Sequence, residues 1–114
     1  MRIWIGFLIV GMLTSAAGAE VEGFLVDKAC SARIVKGGQK AATSHNKDCA
    51  LMDGCAQSGF GVVTADNRFL AFDKEGSKKA AAALEASNKS DNLRVKVSGD
   101  VTGDAIKVAS IKIL

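Results

Sequence analysis

Aromatic residues are scarce in this sequence, and proline is absent. The chain has no proline, no tyrosine, one tryptophan and five phenylalanines. Proteins that bind single-stranded nucleic acid stack bases on exposed aromatic rings, whereas four of these phenylalanines lie in strand-like runs, where core packing is their usual role. The 15 basic residues are nearly balanced by 12 acidic ones. We therefore expect neither a nucleic acid nor an acidic membrane surface as the partner.

Long hydrophobic runs are also lacking. The most apolar stretch, residues 3–13, is about 11 residues long, whereas a membrane-spanning helix needs roughly 20. Arg2 precedes this stretch, and the small residues Ala17-Gly18-Ala19 follow it, which is the pattern of a cleavable signal peptide. We predict a signal peptide over residues 1–19, a periplasmic or secreted product, and no transmembrane segment in the mature chain. An uncleaved anchor is the alternative that the short run disfavours.

The remaining residues, 20–114, are predicted to form a single, mainly β domain with short helices. Alternating or continuous apolar runs predict five strands, at residues 21–27, 60–64, 68–72, 93–98 and 106–113. Ser77 can cap a helix over residues 78–87, between the third and fourth strands. This order resembles the OB-fold, a five-stranded, partly open barrel. The competing interpretation is an open five-stranded sheet with one helix.

Two irregularities in the strand pattern fit a closed barrel. Gly23 within the first strand suggests a bend. The apolar positions of the last strand change parity near Ala109-Ser110, which requires one extra residue, as in a β-bulge. The predicted core comprises Leu25, Val62, Leu70, Phe72, Leu84, Val95, Val97, Ile106, Val108 and Ile111.

All three cysteines and the only histidine lie in an insert between strands 1 and 2, residues 28–59. Asp27 can cap a short helix through Val35, which Gly37-Gly38 would end, with Cys30 at the third helical position. Residues 39–43 are then predicted as a loop. A second helix starting at Ser44 or Asn46 would place His45 and Cys49 on one face, and Gly54 would end it before Cys55.

The predicted metal ligands are Cys30, His45, Cys49 and Cys55. Three thiolates and one imidazole suit tetrahedral zinc, and the soft sulfurs also suit copper(I). The Cys-x-x-Cys spacing typical of zinc sites is absent. An odd number of cysteines allows at most one internal disulfide. One structural disulfide with a spare thiol is therefore an open alternative, as are haem binding and a redox-active thiol.

The insert and the β-rich tail together resemble small exported bacterial proteins of uncharacterised function. The shared features are a strand followed by Asp-x-x-Cys (27–30), His-x3-Cys (45–49), a further cysteine (55) and Gly59. This chain has five residues between its last two cysteines, whereas about three are usual in the group. The longer spacing predicts that Cys49 and Cys55 lie on different helix faces. The resemblance implies an OB-like fold and no assigned activity.

Three functions remain open at this point. The first is an exported module that binds a metal ion or haem. The second is a cofactor-free, disulfide-stapled module that contacts a protein or envelope partner. The third is a thiol redox protein or enzyme, in which Cys30 and His45 form a nucleophile–base pair. Because no Asp or Asn is evidently placed to orient His45, an enzyme is not favoured.

Overall fold

The computed structural model describes residues 19–114, so almost all of the predicted signal peptide lies outside the described residues. Within residues 19–114 the strands are β1 (Ala19–Asp27), β2 (Phe60–Thr64), β3 (Phe69–Phe72), β4 (Arg94–Thr102) and β5 (Ala105–Ile113). The helices of the same residues are α1 (Lys28–Ser44), α2 (Lys47–Ala50), α3 (Asp53–Gln57) and α4 (Lys74–Ala86). Helices α1, α2 and α3 all lie between β1 and β2 in the chain.

The strands form a closed barrel in the order β1-β2-β3-β5-β4, which confirms a five-stranded barrel with short helices and excludes the open sheet. Strand β1 closes it, because β1 pairs antiparallel with both β2 and β4. Only β3 and β5 are parallel. The long connection that parallel strands need is supplied by α4 and β4.

The barrel core contains nearly all of the predicted positions. Nine of the ten predicted core residues are buried, and Ile111 is partly buried and packs against them. The C-terminal end of β1 and strand β2 are buried on both faces, because Val26 and Val63 point away from the barrel and pack against Ile34 and Ala42 of α1. This second apolar cluster holds α1 against the outside of the barrel, at the end of β1.

The predicted bulge in the last strand is confirmed. Ser98 of β4 faces Ser110, but the next residue, Gly99, faces Val108. Ala109 is therefore the extra residue on β5. It lets Val108 and Ile111 both turn toward the core although their spacing is odd.

The helix boundaries differ from the predicted ones. Helix α4 begins four residues earlier than expected, because Asp73 rather than Ser77 caps it, with Oδ1 accepting from the Gly76 N–H at 3.1 Å. Ser77 instead accepts a hydrogen bond from the backbone N–H of Phe60 at 3.0 Å. Among residues 19–114, no helix is long and apolar enough to cross a membrane.

Of the two glycine-containing breaks predicted in the insert, the first is present as a kink at Gly38, whereas the second, at Gly54, is wrong. Helix α1 continues past Gly37 to Ser44 with a kink at Gly38, where φ is +81°. Residues 39–43 are therefore helical. Gly54 lies inside α3, and α2 begins only at Lys47, after the cap Asn46. His45 and Cys49 consequently do not share a helix face.

The strand assignment can be tested by truncating buried and exposed side chains of β4 and β5. Val97 and Ile106 are at most 1% exposed to solvent. Val97→Ala and Ile106→Ala are therefore each expected to lower the free energy of unfolding by about 1–4 kcal/mol. The exposed neighbour Lys107 is the control, and Lys107→Ala should change it by less than about 0.5 kcal/mol. Urea unfolding followed by circular dichroism measures both. Equal losses at Ile106 and Lys107 would show that the strand faces are assigned wrongly.

Candidate metal and thiol site

The site is built around Asp27, the last residue of β1. Because both faces of β1 are covered here, the Asp27 side chain is fully buried. As the N-cap of α1, it accepts a hydrogen bond at Oδ2 from the backbone N–H of Cys30 at 3.1 Å. The predicted Asp27 cap is thus confirmed, and the carboxylate is held one helical turn from the Cys30 side chain.

His45 lies on the other oxygen of the same carboxylate. Its Nε2 is 2.8 Å from Asp27 Oδ1, and its side chain is only 4% exposed. His45 ends α1 as its C-cap, donating its backbone N–H to Ala41 at 3.1 Å. An imidazole and a carboxylate that are buried together satisfy each other's hydrogen-bonding groups. The chain therefore leaves Asp27 at the start of α1 and returns to it at the end.

The kink in α1 lets the helix return. Gly38 adopts a left-handed φ that favours glycine, and contacts to the β2–β3 hairpin fix the helix on both sides of it. Gln39 donates from Nε2 to the Thr64 carbonyl at 3.0 Å, and Asn67 donates from Nδ2 to the Val35 carbonyl at 2.6 Å. The position of His45 therefore depends on the barrel as well as on α1.

Cys30 and Cys55 lie next to the Asp27 carboxylate and form one group with it. One oxygen of Asp27 and the sulfurs of Cys30 and Cys55 all lie within 4.8 Å of one another. Cys55 lies in the short helix α3, and Ser58 links this helix to α1. The Ser58 Oγ donates to the Cys55 carbonyl at 2.6 Å and accepts from the Ala29 N–H at 2.9 Å. Two cysteines that are 25 positions apart in the sequence thus lie side by side.

The two sulfurs differ in their electrostatic surroundings. Loss of hydration, followed by the negative charges of Asp27 and Cys30, raises the pKa of Cys55 from 9.0 to about 11. Cys55 is therefore a neutral thiol at neutral pH in the metal-free protein. Cys30 instead receives a hydrogen bond from Nη2 of Arg33 at 3.3 Å. That contact raises the pKa of the Arg33 guanidinium further, so it stays charged.

Cys49, the remaining predicted ligand, lies apart from this group. It is in α2, where its backbone N–H is held by the cap Asn46 at 2.8 Å. With Arg33 and His45 it lines a small cavity of about 160 Å³ between α1 and α2. Of the four predicted ligands, Cys30 and Cys55 lie together. His45 contacts Asp27 rather than the sulfurs, and Cys49 lies outside the group.

All three cysteines lie in the described part of the chain, and each is a free thiol, so the alternative of one internal disulfide is not formed in this structure. Asp27 was not predicted as a site residue. One of its oxygens lies within 4.8 Å of both sulfurs, and its carboxylate orients His45. The expectation that no acidic residue is placed to orient His45 is wrong. The Asp-x-x-Cys spacing was the available signal, since an N-cap carboxylate lies beside the third helical residue.

Comparison with known proteins adds no relative: no protein-family model, curated protein or solved structure matches this chain. The function must therefore be inferred from the chemistry of the Asp27, Cys30 and Cys55 group and from the residues around it.

Proposed function

We propose that this chain is an exported metal-binding protein that holds one soft or borderline cation through Cys30, Cys55 and Asp27. The observation that carries the proposal is the convergence of two sulfurs and one carboxylate oxygen within 4.8 Å. Two zinc–sulfur bonds of about 2.3 Å place their sulfurs roughly 3.8 Å apart at the tetrahedral angle, so Cys30 and Cys55 need only a small approach to ligate the same ion. Carboxylate oxygen adds a third ligand that zinc accepts readily.

The balance of charge favours zinc over copper(I). Two thiolates and one carboxylate carry three negative charges, of which a divalent cation neutralises two. Arg33 at the Cys30 sulfur supplies a further positive charge. Copper(I) neutralises only one charge, and it prefers the two sulfurs to the carboxylate oxygen. Zinc therefore makes use of all three groups, whereas copper(I) would bind through Cys30 and Cys55 alone.

His45 has a supporting role in this proposal. With Nε2 on Oδ1 of Asp27, it orients the carboxylate rather than acting as the fourth ligand. Partners of this kind fix the geometry of ligand groups, and losing one commonly weakens metal binding by about 10–100-fold. A water molecule would then occupy the fourth position of a tetrahedral zinc ion, which leaves that position open to exchange.

We also propose that the barrel is an OB-fold and that the protein is exported. A five-stranded barrel with a helix between β3 and β4 supports an OB-fold identity. The apolar stretch and small residues before Glu20 support export to the periplasm or secretion. The Asp-x-x-Cys and His-x3-Cys spacings support membership of the group of small exported bacterial proteins described above. Detection of Glu20 as the N-terminal residue of the product would agree with export.

Metal titration of the reduced protein tests the site. Cobalt(II) added to the mature chain should produce thiolate-to-metal absorption in the near ultraviolet, where residues 20–114 absorb little because they contain neither tyrosine nor tryptophan. Cys30→Ser and Cys55→Ser are each expected to weaken cobalt and zinc binding by at least about 100-fold, because each removes a ligand. Cys49→Ser is the matched control and should leave the affinity within about threefold.

The pattern across the variants separates this site from the four-ligand set predicted by the sequence. If Cys49 were a ligand, Cys49→Ser would weaken binding as much as Cys30→Ser does. If His45 were a ligand, His45→Gln would change the ligand-field bands of cobalt rather than only the affinity. Retention of tight binding by both Cys30→Ser and Cys55→Ser would contradict the proposed site.

A further inference from the structure

We infer that Cys30 and Cys55 also form a reversible dithiol–disulfide couple that exchanges with disulfide-bearing substrates. This activity goes beyond the proposed metal binding and does not depend on it, because it needs only the two sulfurs and the groups around them. The bound metal and the disulfide exclude each other, since the same sulfur atoms would be used in both.

The first support is the distance between the sulfurs and the segments that carry them. The sulfurs of Cys30 and Cys55 lie within 4.8 Å of each other as free thiols. A disulfide bond is about 2 Å long, so oxidation requires a small approach of one sulfur. Cys55 lies in the five-residue helix α3, which is followed by a hydrogen-bonded turn at Ser58. Cys30 and Cys55 lie in α1 and α3, outside the barrel strands, so this approach requires no change in strand pairing.

The second support is that the two sulfurs are not equivalent. Cys30, in the first turn of α1, is the sulfur that receives the Arg33 guanidinium at 3.3 Å. A cationic donor stabilises the anionic sulfur that attacks a disulfide. Both sulfurs lie within 4.8 Å of an Asp27 oxygen, but the Arg33 donor lies at the Cys30 sulfur. This asymmetry assigns Cys30 as the nucleophile and Cys55 as the resolving cysteine.

The exchange is balanced in two steps. The Cys30 thiolate attacks one sulfur of a small-molecule disulfide, RSSR, forming a Cys30–SR mixed disulfide and releasing one thiolate, RS⁻. Cys55 then attacks the Cys30 sulfur, forming the Cys30–Cys55 disulfide and releasing the second RS⁻. The protons that the Cys30 and Cys55 thiols give up pass through solvent to the two released thiolates. The two protein thiols are oxidised, and the substrate disulfide is reduced to two thiols.

Cys49 provides an internal control because it lies outside the group. The full mature chain would be treated with a chelator and equilibrated in buffers of reduced and oxidised glutathione. The samples would then be quenched with acid and alkylated under denaturing conditions. Two thiols should disappear together at one midpoint potential, leaving one labelled thiol per chain. Peptide mapping should assign the bond to Cys30 and Cys55, and Cys49→Ser should keep the same midpoint.

Replacing Cys30 and Cys55 separately by serine identifies the role of each sulfur. In Cys55→Ser, the first step proceeds and the second cannot, so a glutathione mixed disulfide should accumulate on Cys30. In Cys30→Ser, little mixed disulfide should form at Cys55. Thiols lost one at a time in the wild-type chain, or a bond mapped to Cys49, would overturn the inference. So would equal glutathionylation of the two single variants.

The outcome is separable from that of the metal proposal. Zinc affinity is measured on the fully reduced protein, and the couple is measured with the chelator present. A chain that forms the Cys30–Cys55 bond but does not bind zinc would support the couple and contradict the metal site. A chain that binds zinc but does not form this bond would support the metal site and contradict the couple. Where both hold, saturating zinc should slow oxidation by glutathione disulfide at least about tenfold, because the metal occupies the attacking thiolate.

Discussion

Replacing Asp27 by Ala is expected to lower the free energy of unfolding by about 2–6 kcal/mol, because it leaves two buried donors without an acceptor and each costs about 1–3 kcal/mol. The carboxylate is fully buried and accepts from both His45 Nε2 and the Cys30 N–H. Alanine would leave both donors without a partner at a fully buried position. Urea unfolding of the reduced, metal-free protein at neutral pH measures the loss.

An exposed pair of similar geometry supplies the control. Arg68 and Asp104 also lie 2.8 Å apart, but their side chains are 53% and 83% exposed. Asp104→Ala should cost less than about 1 kcal/mol, since solvent and salt weaken such pairs. Asp27→Asn keeps an oxygen for the Cys30 N–H and should cost less than Asp27→Ala. If Asp27→Ala and Asp104→Ala had equal effects, Asp27 would not be the buried centre of the site.

The barrel was predictable because its strands follow simple alternation. Val95 and Val97 alternate with polar residues, and each is buried as that pattern requires. The parity change in β5 was equally informative, because a strand with a fixed inner face must insert a residue to change parity. These signals are local and repeat along the chain, so they can be recognised without knowledge of tertiary contacts.

The helix boundaries were less predictable because tertiary contacts decide between equivalent capping residues. Asp73 and Ser77 are both good N-caps. Asp73 also accepts from the Val108 N–H of β5 at 3.1 Å, and Ser77 is engaged by Phe60. Nothing in the local sequence around residues 73–77 reports these contacts. In α1, similarly, the Gln39 contact to Thr64 stabilises a helix beyond Gly38 that its sequence alone would end.

The site was predicted only in part for the same reason. Spacing places residues on a helix face only while the helix continues, and the break between α1 and α2 separates His45 from Cys49. The pairing of Asp27 with His45 spans 18 positions and depends on the return of a kinked helix. The side chains with metal-ligand chemistry were identifiable from residue type, whereas the choice of Cys55 over Cys49 was set by the fold.

Gly23 offers a large expected effect outside the site. It lies where β1 pairs with both neighbours, opposite Thr64 of β2 and Val95 of β4. A Cβ atom built on Gly23 would lie 2.2 Å from the Val63 carbonyl oxygen and 2.7 Å from Cγ2 of Val62. The first of these atoms belongs to the backbone of a paired strand, so it cannot move aside as a flexible side chain would.

Gly23→Ala is therefore expected to lower the free energy of unfolding by more than about 3 kcal/mol, at the upper end of overpacking effects or beyond it. Gly54→Ala is the matched control, because no atom lies within 4 Å of its added Cβ. Since Gly54 lies within α3, alanine there should leave stability unchanged or raise it by up to about 1 kcal/mol. Urea unfolding of both variants measures the difference. A Gly23→Ala protein as stable as the wild type would mean that β1 does not close the barrel in this register, since only close approach of the β2 backbone makes a methyl group so costly at that position.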